Sequence, residues 1–212
     1  VNIRGNLRMR GDLKVLGGNQ AQINVDGDVD LGGSVEGIDK LCATGNVVLG
    51  SNITVGTVCA NGDLTVGGSG SVTTAIVKGN VEMSGTASIT ANGNVTLSGG
   101  SAHADSISTK GNVSITGGAA YARVIQSESN VVWSGSSSVT TSIRANGNVS
   151  FSADSAATDI AAGGIGFHFR QGMALLVVES EHQEVVLGQL LLGIPEKAQG
   201  NYPAGPEGGR AG

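Results

Sequence analysis

A five-residue phrase recurs along the chain: Gly, then Asn or Asp, then Val or Leu, any residue, and a further apolar residue. Copies open at Gly11, Gly27, Gly45, Gly62, Gly79, Gly93, Gly111 and Gly147, and Ser129-Asn130-Val131 is one variant copy. The intervals are 16, 18, 17, 17, 14, 18, 18 and 18 residues, averaging 17. A unit this short cannot close a propeller blade of about 40 residues or bury its own core. It must stack on its neighbours.

Within each unit apolar residues alternate with small polar ones, the period of a strand rather than a helix. The first strand carries pairs such as Val47 and Leu49, Leu64 and Val66, Val81 and Met83, Val113 and Ile115, and Val131 and Trp133. Two further inward sets follow: Val72, Ile89 and Val139 in one, and Val58, Ile76, Ile107, Val124, Ile143 and Ile160 in the other. Three short inward-facing strands per unit predict an all-β fold, a single parallel β-solenoid of triangular section with about nine rungs of roughly 17 residues. The solenoid is expected over residues 1–163.

The phrase residues are the structural candidates: Gly45, Asn46, Gly62, Asp63, Gly79, Asn80, Gly93, Asn94, Gly111, Asn112, Gly147 and Asn148. Glycine is expected at corners needing positive φ. The Asn or Asp that follows is expected to stack from rung to rung and hydrogen-bond neighbouring turns. The 14-residue interval from Gly79 to Gly93 predicts a rung with a tightened corner.

Composition bounds what such a rod can do. Of 212 residues 36 are Gly and 3 are Pro, which does not fit collagen, where Gly at every third position comes with abundant Pro. A net charge of -5, with 12 Lys and Arg thinly spread, leaves no basic stripe for phosphates, so no nucleic-acid partner is expected. No apolar run reaches the roughly 18 residues of a spanning helix, so no transmembrane segment is expected. No signal peptide is visible, and a chain opening on Val1 is expected to be a processed or trimmed product.

Cys42 and Cys59 fall at the same station of adjacent units, in Leu41-Cys42-Ala43-Thr44-Gly45 and Val58-Cys59-Ala60-Asn61-Gly62. Strand spacing puts their Cα atoms about 4.8 Å apart, within disulfide range. A staple between rungs is one reading. A stacked pair of buried thiols behaving as small apolar residues is the preferred one. A metal site would need further ligands, and no His is near in sequence.

Asp26, Asp28 and Asp30 alternate, which would set three carboxylates on one strand face as a calcium candidate. They match neither the EF-hand loop nor the nonapeptide calcium repeat, and a solvated corner is the plainer reading. Glycosylation acceptor patterns occur at Asn52, Asn94, Asn112 and Asn148, the last three being the repeat phrase itself. Thr54, Thr57, Thr73, Thr74, Thr140 and Thr141 do not build the regular column an ice-binding face would want. His103, His168 and His182 sit in unrelated contexts, and no nucleophile elbow, dinucleotide fingerprint or P-loop is complete. No catalytic residue and no cofactor is expected.

After about Gly163 the phrase stops. Residues 164–194 are expected to cap the rod or mediate its assembly, and residues 195–212 to form a flexible tail.

The stretches from Gly27 to Gly37 and from Gly70 to Val81 resemble the bactofilins, bacterial cytoskeletal proteins built on a small triangular β-helix; the resemblance spans roughly residues 5–160. It implies end-to-end assembly into filaments without nucleotide. The richness in Ser, Thr and Asn is also similar to the repeat shafts of secreted haemagglutinin-type adhesins. Together these give an expected non-enzymatic structural solenoid, bacterial in source, that associates with itself into filaments or an envelope scaffold. The alternative is an adhesin shaft binding a surface or glycan. A β-helix enzyme acting on polysaccharides is the competing class, but such enzymes need longer rungs with groove-building loops. The compartment expected is extracellular or cell-surface, with the bacterial cytoplasm as the other choice.

Overall fold

The structure, a computed structural model, describes residues 1–16, 21–134, 138–151, 155–163 and 178–179. Among these, every regular element is a strand. The strands form two parallel sheets of 12 and 9 strands that run the length of the rod. In the smaller sheet, three-residue strands such as Val47–Leu49, Leu64–Val66, Val81–Met83 and Val95–Leu97 pair only with the equivalent strand one rung away. Longer strands such as Val35–Ala43, Ile53–Ala60 and Ser71–Val77 form the larger sheet in the same way. This is the β-solenoid that the repeat predicts.

The triangle needs three walls, and the longer strands supply two of them. In Ser71–Val77 the buried positions are Val72, Ala75 and Val77, so alternation skips a beat between the first two. One residue beyond strict alternation bends the strand and resets which side chains face inward. Past the bend runs a column of register partners: Ile23, Leu41, Val58, Ala75, Ile89, Ile107, Ile125, Ile143 and Ile160. Each of these nine is at most 7% exposed. A fully buried aliphatic side chain is worth roughly 1.5–3 kcal/mol, so this column is a main source of stability.

The same bend corrects three expectations. Ile76 faces outward and is 51% exposed, while Ala75 takes the inward place. Val124 is half-buried on the outer side, and Ile125 is the core residue. Ile89 belongs with Val58 and Ile107 in the column past the bend, not with Val72. The side chain of Val139 lies outside the described residues.

The 14-residue unit is shortened at two places. Val66 pairs with Met83 and Ser71 with Thr86, so the four-residue corner 67–70 is matched by the two residues 84–85. The third missing residue is the one at the bend, because Thr86–Ala91 alternates strictly. Gly85 then lies so close to Gly70 that a Cβ there would collide with the Gly70 carbonyl oxygen.

The first rung also differs from the sequence reading. Leu7 pairs with Val29 and Met9 with Leu31, so the phrase in register is Gly5-Asn6-Leu7, not Gly11-Asp12-Leu13. Leu13 pairs instead with Val35, on the next wall. At the other end Val178–Glu179 pairs in parallel with Ile160 and Ala161, adding a strand past Gly163. The rest of 164–194, and the whole of 195–212, lie outside the described residues.

Candidate functional site

The side chains that distinguish one rung from the next are on the outside, and each wall carries them in axial columns. One column holds no chemistry but holds the rod together. Asp28, Asn46, Asp63, Asn80, Asn94, Asn112, Asn130 and Asn148 each donate a backbone N–H to Oδ1 of the Asn or Asp one rung before, the first of them to Asn6. From Asn80 to Asn130 the side-chain amides also donate along the ladder, at 3.1 to 3.3 Å. A neutral hydrogen bond adds about 1 kcal/mol net, and leaving a partly buried partner unmade costs more.

This ladder explains the glycine before each rung differently from the sequence reading. Positive φ holds at the phrase glycines Gly5 and Gly27, as at Gly37 and Gly68, but not at Gly45, Gly62, Gly79, Gly93, Gly111 and Gly147. A Cβ on Gly62 would instead overlap Oδ1 of Asn46 and crowd the Gly45 backbone. Glycine is required there for close approach between rungs.

The three aspartates do not converge. Asp28 is a ladder acceptor for the Asn46 N–H, Asp30 is paired with Arg8 at 2.9 Å, and Asp26 accepts from the Thr44 hydroxyl at 3.2 Å. The corner at Gly27 turns them to separate partners, so the calcium candidate has no geometric basis. Among the described residues no group of three or more His, Cys, Asp and Glu is placed to hold a metal.

The acceptor asparagines are likewise sorted by the ladder. Asn94 and Asn112 spend their amide nitrogens on the rung before, whereas Asn52 is exposed at a corner with φ 59°. His103 packs edge-on against Tyr121, its register neighbour, with ring centroids 4.8 Å apart, and lies 3.7 Å from Asp105. His168 and His182 lie outside the described residues. Thr57 and Thr74 are register neighbours, but the column continues into Ser88.

A groove and a pair of thiols on the outer walls could each take a ligand. The first is a shallow groove of about 350 Å³ along four rungs, walled by Thr90, Ser108, Gln126 and Arg144 on one side and Asn92, Lys110, Glu128 and Asn146 on the other. Its floor is made of small residues, Ala91, Thr109 and Ser127. The two hydroxyls are buried and bond to the backbone: Thr109 donates to the Gly93 carbonyl, and Ser127 to that of Gly111 at 2.8 Å.

The second is the cysteine pair. Cys42 and Cys59 are register partners on adjacent strands and both thiols are free. They are half-buried on the outer face between the core residues Leu41 and Ala43, and Val58 and Ala60. The expected burial inside the core is therefore corrected: strand alternation turns both outward. Burial, then a hydrogen bond with Cys59, pushes the Cys42 thiol up to about 11, against a smaller opposing pull from Lys40. Their column runs Asn24, Cys42, Cys59, Ile76.

No family model, no curated protein and no solved structure matches the chain. Among the described residues no helix is long and apolar enough to cross a membrane.

Proposed function

We propose that this chain is a non-enzymatic structural rod that associates with itself, end to end or side by side, into filaments or an envelope scaffold. The observation that carries the reading is the unbroken register of the smaller sheet. Its three-residue strands pair in parallel one after another, so on that wall a shift by one rung lays each column on itself. Among the described residues the strands Asn2–Arg4 and Leu7–Met9 stand at the end of each sheet, paired on one side. An open parallel edge is a template for further strands. The likeness to bactofilins points the same way.

A second reading, an adhesin shaft that holds a surface or glycan, is favoured by the groove between Thr90 and Asn146, whose walls are lined by hydroxyls, amides and charged groups. Electron microscopy and sedimentation of the purified chain separate the two. Long unbranched polymers that grow with concentration support the first. Monodisperse rods at all concentrations overturn it and leave the shaft.

A further inference from the structure

We propose that Cys42 and Cys59 form a two-coordinate site for a soft monovalent cation, Cu(I) or Ag(I), on the outer wall of the rod. The two sulfurs belong to register partners, so their spacing is set by two parallel strands rather than by loops. Strands lie about 4.8 Å apart. Two bonds about as long as a zinc–thiolate bond, roughly 2.3 Å each, cover a span close to that strand spacing, so one cation can be shared by thiolates on paired strands. Strand alternation turns both thiols to the outer face, which sets the two side chains next to each other on paired strands.

The surroundings choose the metal. Above and below in the column stand Asn24 and Ile76, and among the described residues no third or fourth His, Cys, Asp or Glu joins the pair. Zinc prefers four ligands and would keep solvent in half of its shell. Soft thiolate donors select Cu(I), and two of them satisfy a cation content with linear coordination. Half-burial of both thiols, with Ile76 next in their column, limits the solvent around such a centre.

Charge and protons balance. Uptake of one monovalent cation releases two thiol protons to solvent and transfers no electron, leaving a bis-thiolate complex of charge −1. Lys40 stands beside it; its charge already acts on Cys42, and it has no ion-pair partner among the described residues.

The test is an anaerobic titration of the reduced protein with Cu(I) against a coloured Cu(I) chelator, with Zn(II) run in parallel. One equivalent is expected to bind. Cys42→Ser and Cys59→Ser should each lower the affinity roughly 100-fold or more, because the second thiolate acts at high effective concentration. Zn(II) should bind far more weakly than Cu(I), and the thermal midpoint should rise with Cu(I) in the parent chain and stay put in Cys59→Ser. Either single variant holding Cu(I) as tightly as the parent overturns the site, as does Zn(II) binding with equal strength.

Discussion

Oδ1 of Asn46 accepts the backbone N–H of Asp63 at 2.8 Å, across the gap between two rungs. The glycine just before Asp63 has no Cβ because that oxygen occupies the space a Cβ would take. The Gly-Asn phrase is therefore one device, an acceptor and the hole it reaches through.

Replacing Asn46 by Ala should destabilise by about 1 kcal/mol, since the Asp63 N–H then lacks its partner. Asn46→Asp should behave differently, because Asn46 stands between Asp28 and Asp63 in the ladder. Three carboxylates about 4.8 Å apart repel one another, so the loss should be larger at pH 7 than at pH 4. Thermal unfolding followed by circular dichroism at the two pH values checks this. Equal losses at both would remove the ladder's electrostatic part.

The short rung gives a sharper case. Gly85→Ala should cost about 3 kcal/mol, at the top of the range for overpacking, since its Cβ has nowhere to go but into the Gly70 carbonyl. Gly100→Ala is the control: nothing lies within 4 Å of a Cβ there, and the change should fall within about 0.5 kcal/mol. Chemical unfolding of both variants, read by the fluorescence of Trp133, the chain's one tryptophan and a fully buried residue, decides it.

Much of this architecture could be read from the repeat, because a solenoid writes its register directly into the spacing of one phrase. The ladder and the shortened rung were both visible that way. What misled was parity. Ala75-Ile76-Val77 and Val124-Ile125 place apolar residues side by side, and only the extra residue at the bend decides which one faces in. The first rung misled for a related reason: Gly5-Asn6-Leu7 and Gly11-Asp12-Leu13 both fit the phrase, and the even interval favoured the wrong one. The outward turn of Cys42 and Cys59 follows from simple alternation after Leu41 and Val58, and the preference for buried thiols overrode it. The close approach at Gly62 and the scattering of Asp26, Asp28 and Asp30 needed atoms from the rung next door, which a linear pattern does not contain.

The phase beyond the bend can be tested by a pair of substitutions. Ile107→Ala removes a core side chain that is 1% exposed and should cost 2–5 kcal/mol. Ile76→Thr alters an outward side chain that is 51% exposed and should stay within about 0.5 kcal/mol. Denaturant midpoints for the two should therefore separate widely. A large loss from Ile76→Thr would return that residue to the core and shift the whole wall by one position.

Cys42 predicts a pH dependence with a definite sign. Its thiol is raised from an ordinary 9.0 to about 11, chiefly by burial and then by its hydrogen bond with Cys59. The folded chain thus keeps this proton in a range where the unfolded chain has lost it. Unfolding between about pH 9 and pH 11 releases the proton, so its contribution to stability is complete below pH 9 and declines as the pH rises toward 11. Under reducing conditions the urea midpoint of the parent chain should fall more steeply across this window than that of Cys42→Ser. Parallel curves would mean that the folded thiol ionises where the unfolded one does, and that the pair on the outer wall is solvated rather than half-buried.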